Sequence, residues 1–478
     1  MNTPFFPDWR RRFGPMGRRI VRLRQQSLLH LDQFFGRFLP PALLAQADEG
    51  LNSRERVFSL RRTFFGFLYQ VLNPDCPCRE VVRQIQALFA LHRRGPVDEA
   101  TGGYCQARAR LPWDILPRLR CAAAAHAEKA RRLWRGLCVK VVDGTTTSLP
   151  DTLKNQRAYP QSGAQKAGCG FPLLRLVGVF SLSTGALLDY AKGDKHQHEL
   201  GLLQRLLQQF KPGDLVLADR GFSTYTLLAL LLGRGVHSLF RLHQARPTDL
   251  RKGKRLGKND RLFVWDKPWL RPAYLPRFIW KRIPEQITVR VLRFNLRVPG
   301  FRVHSVTLVT TLLDPQKYPA EELAYLYAER WRVELWFRDI KTSMGMEVLR
   351  CKSPRMVHKE LEMFFIAYNL IRCLMAESSL RFHVSVSGLS FKGTVDSVRQ
   401  FTTAIAQARS RKTQTHLLEK LLEVIARDLL PERFGRTEPR ALKRRPKPFP
   451  LLNRPRDKFK EIPHRNRYWK SNPRKSNG

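Results

Sequence analysis

Between Tyr327 and Lys341 the chain reads Y-A-E-R-W-R-V-E-L-W-F-R-D-I-K, with Tyr327, Arg330, Glu334 and Lys341 at offsets of zero, three, seven and fourteen. At about 100° per residue, these offsets fall within roughly 60° on one side of a helix. One carboxylate then lies between two fixed cations and a phenol. Such a set can grip a phosphodiester while presenting an acidic ligand to a metal. A solvated, charged helix face would account for these residues if they stood alone. Two further segments change that reading. Cys138 to Thr147, C-V-K-V-V-D-G-T-T-T, is a β-branched run that predicts a buried strand, with Asp143 where it opens into a Gly-Thr turn. Asp214 to Phe222, D-L-V-L-A-D-R-G-F, predicts a short apolar strand ending in Asp219, followed by Arg-Gly and a new helix. A carboxylate at the end of a buried strand is costly unless something compensates it. Asp143, Asp219 and Glu334 together offer three hard oxygen ligands, the kind that suits magnesium or manganese.

The elements that must position these residues follow from periodicity. Residues 1–134 read as helical with Arg-rich faces, including Gln26 to Phe38, Ser53 to Leu72, Arg79 to His92 and Ile115 to Trp134. A helical, DNA-binding domain is expected there. Residues 135–243 read as strands followed by alternating helix and strand: Leu137 to Asp143, Leu173 to Leu182 and Ala186 to Ala191, then Glu199 to Phe210 as helix and Leu215 to Asp219 as strand. Thr224 to Leu232 then predicts a helix and His237 to Leu242 a strand, an α/β pattern. Residues 244–304 change character, with a Gly/Lys/Arg-rich start, several prolines and strand-like runs, and predict a β-rich insertion. Residues 305–350 return to the core and carry the Glu334 helix, 351–432 predict further helices, and 433–478 a basic disordered tail. From Arg440 to Gly478 there are fourteen Lys or Arg against two acids.

Composition points to a polyanion as partner. Lys and Arg number 86 against 40 acids, a formal net charge of +46. So large an excess favours nucleic acid by steering and counterion release, but a merely cationic protein would share it. With 478 residues, 43% of them hydrophobic, the chain can fill real cores and is no disordered basic tail. Eight scattered cysteines predict reduced, mostly structural thiols. No signal peptide or membrane span is evident, which predicts a cytoplasmic protein with no membrane partner. Asp194 to Glu199, D-K-H-Q-H-E, has the composition of a metal cluster, but its place between a strand and a helix favours a helix start.

Asp143 in D-G-T-T, Asp219 in A-D-R-G-F, the Y-(2)-R-(3)-E-(6)-K spacing and the V-T-L-V-T-T-L-L-D-P run from Val306 to Pro315 resemble a DDE transposase of the insertion-sequence 4 family. The similarity spans roughly residues 135 to 400. It implies a ribonuclease H-like mixed-sheet core split by a β-rich insertion, flanked by an N-terminal helical domain and C-terminal helices. It implies two divalent metal ions, Mg²⁺ with Mn²⁺ accepted, on the catalytic acids Asp143, Asp219 and Glu334. DNA contacts carry over onto Tyr327, Arg330 and Lys341. The partners implied are double-stranded DNA, as element terminal inverted repeats and as target, and a second copy of the chain in the DNA complex. A prokaryotic, nucleoid-associated setting goes with them.

Metal-assisted cleavage and strand transfer follow from that resemblance. A structure-selective nuclease would use the same acids without joining DNA, and a non-catalytic DNA-binding descendant would have no need of them. If the reaction passes through a hairpinned DNA end, an exposed aromatic ring on the insertion could hold an unstacked base. Trp265 and Trp280 are the candidates there, ahead of Trp269, whose Pro-rich surroundings signal a turn.

Overall fold

The computed structural model describes residues 31–45, 56–91, 93–246, 248–295, 305–408, 410–430 and 452–459. Most of the basic tail and the first thirty residues lie outside that set. Nine strands form one sheet: β1 (Cys138–Ser148), β2 (Leu173–Ser181), β3 (Leu187–Gly193), β4 (Asp214–Ala218), β5 (His237–Arg241), β6 (Lys254–Gly257), β7 (Asp260–Asp266), β8 (Gln286–Asn295) and β9 (Ser305–Thr310). Their order across the sheet is β3-β2-β1-β4-β5-β9-β8-β7-β6. The first three strands form an antiparallel meander, and β4 and β5 run parallel to β1. That five-stranded arrangement is a ribonuclease H-like α/β core. Beyond β5 the ladder continues through four antiparallel strands, so residues of the 244–304 segment extend the same sheet.

Alternation sorts the sheet's side chains into two apolar layers. Val139, Val141, Leu174, Leu176, Leu215 and Leu217 face one core. Val142, Val177, Val179, Val216 and Ala218 face the other, with the helix Tyr225–Leu232 in the same core and Trp265, Ile287 and Val289 of the insertion strands continuing the layer. Strand β4 is buried at every position, as its unbroken apolar run requires. On the first face lies the helix Pro354–Phe382, 29 residues long and buried along most of its length. A helix apolar nearly all round must be enclosed. Here the helices Ile115–Ala127, Phe391–Gln407 and Arg411–Arg427 pack around it. Among the described residues, no helix is long and apolar enough to cross a membrane.

Two expectations need correction. Strand β1 does not stop at Asp143. It runs on through Gly144 and the threonines to Ser148, every residue paired with β2. Gly and Thr signal a turn locally, but the long β2 offers backbone partners throughout, and the ladder prevails. The Glu334 helix is not continuous either. It consists of the α-helix Ala320–Ala328, a 3-10 turn Glu329–Trp331, the α-helix Arg332–Arg338 and a π turn Asp339–Ser343. Each change of winding rotates the residues after it, so the single-face angles computed for a uniform helix do not hold.

Candidate active site

Strands β1 and β4 bring the two aspartates together. Their parallel register pairs Cys138 with Asp214 and Val141 with Leu217. Continuing it by two residues sets Asp143 level with Asp219. A buried ion pair helps to fix this register: Lys140 Nζ on β1 lies 2.6 Å from Asp214 Oδ2 at the start of β4. Asp219 follows the last residue of β4 and caps the short 3-10 turn after it, its Oδ1 accepting from Gly221 N at 2.8 Å. Asp143 accepts from Gly144 N at 2.9 Å. Burial, with Asp219 and Glu334 nearby, raises the Asp143 pKa to about 6 against the opposing pull of Arg330 and the Gly144 N–H.

The broken helix crosses this pair. Arg330 lies in its 3-10 turn, with Nη1 3.8 Å from Asp143 Oδ2 and Nη2 3.1 Å from Glu334 Oε1. Burial works against the guanidinium's charge, but Tyr327, Asp143 and Glu334 more than offset it and raise the Arg330 pKa. Tyr327 is buried beside Arg330, and burial pushes its phenol up to about 12. Lys341 sits in the π turn, where its Nζ donates to Thr146 O at 2.9 Å and Thr145 Oγ1 at 3.3 Å. Burial lowers its pKa. The π turn is itself held from behind, with Asp339 Oδ2 3.6 Å from Arg372 Nη2 on the long helix. The described geometry thus gathers Asp143, Asp219, Glu334, Tyr327 and Arg330, and sets Lys341 further along β1.

The donor set suits a hard divalent cation, being carboxylate oxygens with no thiolate or imidazole among them. As the side chains stand, no three acidic, His or Cys groups among the described residues converge closely enough to hold an ion. Arg330 pairs with Asp143 and Glu334 at once. Glu334 is 52% exposed, so packing does not fix its carboxylate.

The tryptophans fall out differently from the sequence reading. Trp265 is buried, on the second face of the sheet, with the Arg246 guanidinium 4.1 Å from its ring centre. Burial makes it core, and the exposed-ring role expected of it is corrected. Trp280 packs partly against the same core, with Lys267 Nζ 4.8 Å from its ring centre. Trp269, disfavoured in the sequence, is 97% exposed, and Leu270 and Phe278 nearby in sequence are also exposed. Glu199, part of the Asp194–Glu199 segment set aside as a helix start, is not among the acids expected at the site. His198 stands at the N-cap position of the short helix Glu199–Gln204 without a side-chain capping bond, and Asp194 accepts from His196 N and Gln197 N, so the segment is a helix start. Its acid nevertheless ends against Gly144, beside Asp143. The one signal in the sequence was an acid just after the third strand.

Residues 134–370 match the family described as Transposase DDE domain, a span that contains all three acids and Tyr327, Arg330 and Lys341. Residues 134–370 thus match a DDE transposase domain, and over most of its length the chain is similar to a transposase of the insertion-sequence 4 type. It is 26% identical over 437 residues to Transposase InsG for insertion sequence element IS4 of Escherichia coli (strain K12), covering 89% of this chain and 95% of that protein. A probable transposase for insertion sequence element IS5377 of Geobacillus stearothermophilus is 36% identical over 86 residues, 18% of this chain and 22% of that one. Among solved structures, the piggyBac transposase synaptic complex with hairpin DNA covers 86% of this chain and 85% of its own, at 10% identity and a TM-score of 0.43.

Proposed function

We propose that this chain cuts DNA at the ends of an insertion-sequence element and joins those ends to target DNA, using Asp143, Asp219 and Glu334 to hold two divalent metal ions. The observation that carries the reading is that the β1–β4 register sets Asp143 level with Asp219 while Arg330 joins Asp143 to the helix-borne Glu334. Magnesium or manganese bound by these acids would activate the attacking hydroxyl and take up charge on the leaving 3′-oxygen.

The chain's own residues do the rest. Asp143, level with Asp219 and joined to Glu334 through Arg330, would share in holding both ions, with Asp219 and Glu334 each contributing to one. Arg330 neutralises Asp143 and Glu334 in the free protein. Where ions met the charge of those acids, the Arg330 fork would be free to hold a phosphate beside the scissile bond, for which a planar guanidinium is well shaped. Lys341 holds a second phosphate from its seat along β1, and the Tyr327 hydroxyl, kept protonated by burial, donates to a third oxygen. The net charge of +46 draws DNA toward this face and beyond it. Two copies acting together would pair two element ends.

The test is cleavage and strand transfer on double-stranded DNA carrying the element's terminal repeats, with magnesium and manganese supplied in turn. Metal-dependent nicking at the element boundary followed by joining supports the reading. Cleavage without any joining supports a nuclease on the same core. Light scattering of the DNA complex that gives one protein per pair of ends would remove the dimer from the proposal.

A further inference from the structure

The residue after Asp143 is a glycine whose backbone has no need of one. Gly144 lies inside β1, paired with Val177, and is not among the glycines of positive φ. A Cβ there would meet no backbone obstacle. It would lie 2.3 Å from Glu199 Oε1, 2.5 Å from its Cδ and 3.0 Å from Oε2. Real Cβ atoms do not come so close, so the Glu199 carboxylate occupies the space a side chain at position 144 would need. A side chain at position 144 and the Glu199 carboxylate cannot both keep these places.

That carboxylate is unusual among the acids around it. Asp143 and Glu334 share Arg330, and Asp219 caps a turn. Glu199 is half-buried, and among the described residues it has no hydrogen-bond or ion-pair partner. The nearest cation on its own side, Arg175, donates its Nη1 to Gln197 O at 2.7 Å. Burial raises the Glu199 pKa, with Asp219 adding to the rise and Arg175 opposing it. A partly desolvated acid with no partner, seated against the residue next to Asp143, is stabilised by a cation and its water shell.

We propose that Glu199 is a fourth carboxylate of the site, a positioning residue that holds the water shell of the ion shared by Asp143 and Asp219, with Gly144 as the notch that admits it. The inference rests on the metal-binding reading of those two aspartates. Glu199 sets how tightly the site holds its ion and leaves the three inner acids to the reaction itself. Loss of such an outer partner weakens metal affinity by about tenfold or more.

The test uses the full-length chain without DNA. Thermal unfolding is followed against manganese or calcium concentration, since an ion that binds only the folded state raises the midpoint by an amount that grows with the logarithm of its concentration over its Kd. Asp143→Asn and Asp219→Asn should abolish the metal-induced rise. Glu199→Gln, nearly isosteric, should keep the metal-free midpoint and raise by about tenfold the metal concentration needed for a given rise, with Glu199→Asp between it and the native chain. Gly144→Ala should reproduce the shift by expelling the carboxylate, and the Gly144→Ala, Glu199→Gln double variant should be no worse than either alone. If the aspartate variants respond to metal as the native chain does, the metal-binding reading itself fails. If they lose the response while Glu199→Gln titrates like the native chain, only the role of Glu199 is overturned.

Discussion

Arg290 and Arg330 both face carboxylates, and they do opposite work. Arg290 on β8 is completely buried. It grips Asp260 of β7 through Nη2 at 2.5 Å and Nε at 2.9 Å, and its Nη1 donates to Tyr318 O at 2.7 Å and Asp314 O at 3.3 Å. Tyr318 stands just before the Ala320–Ala328 helix, so this arginine ties the insertion strands to the root of the segment that carries Glu334. Arg330 has more acids around it and weaker geometry, at 3.8 Å and 3.1 Å, with a side chain 16% exposed. A saturated, water-free pair is a fixture, since losing either member strands the other's charge. An arginine that bridges two acids at the edge of solvent can be exchanged for a better cation. Saturation of the donors, more than the mere presence of charge, separates scaffold from site.

Breaking the scaffold should cost most. Arg290→Ala leaves Asp260 buried and unpaired and two carbonyls without their donor, and should destabilise the fold by about 3–5 kcal/mol in denaturant titration. Restoring an apolar pair, Arg290→Met with Asp260→Leu, should recover much of that loss. A fully additive double variant would show that the two do not act as a unit. The tryptophans sharpen the contrast in the insertion. Trp265→Ala should lower stability by about 3–5 kcal/mol, as for a buried aromatic. Trp269→Ala should leave unfolding unchanged, and equal effects would mean the burial difference is wrong.

At the site, Arg330→Ala should alter stability by less than about 1 kcal/mol. It should instead flatten the salt dependence of binding to end DNA by about one unit of slope, as should Lys341→Ala. Arg332, paired with Glu329, is the control whose alanine variant keeps the native slope. The smallest effect concerns pH. His358 is packed against Trp113 and Tyr159, and burial holds its imidazole neutral, the pKa pushed down to about 4 from 6.5. Between those values the unfolded chain binds the proton and the folded chain does not, so stability rises with pH across that window. Its contribution is complete above the unfolded value and is lost as pH falls toward 4. His358→Phe should reduce the drop in urea midpoint between about pH 7 and pH 5, and an undiminished drop would assign it to other groups.

Much of this frame is legible in the chain. The strand before Asp219 announces itself as an apolar run closed by Asp-Arg-Gly, and the helix after it as Thr224 followed by leucines, because burial and capping leave local marks. What escapes is set by distant partners. The continuation of β1 through Gly-Thr-Thr-Thr depends on β2, some thirty residues away in sequence. The 3-10 and π turns around Glu334 do not alter apolar periodicity enough to be read, yet they decide where Arg330 and Lys341 come to rest. Burial of Trp265 and exposure of Trp269 follow from which face of the extended sheet is covered, which no window of a few residues encodes. Glu199 is the sharpest case, since its meaning depends on a glycine 55 positions earlier.

The central claim is that the acids gathered around Arg330 perform metal-dependent chemistry on DNA. The most direct measurement compares native chain and Asp219→Asn on labelled element-end DNA, scoring binding and metal-dependent cleavage in the same samples. The amide keeps the shape and the capping oxygen but removes a hard anionic ligand. The account predicts retained DNA binding with cleavage reduced by about 100-fold or more, as for loss of a first-sphere electrostatic contributor. Cleavage by Asp219→Asn near the native rate would contradict it.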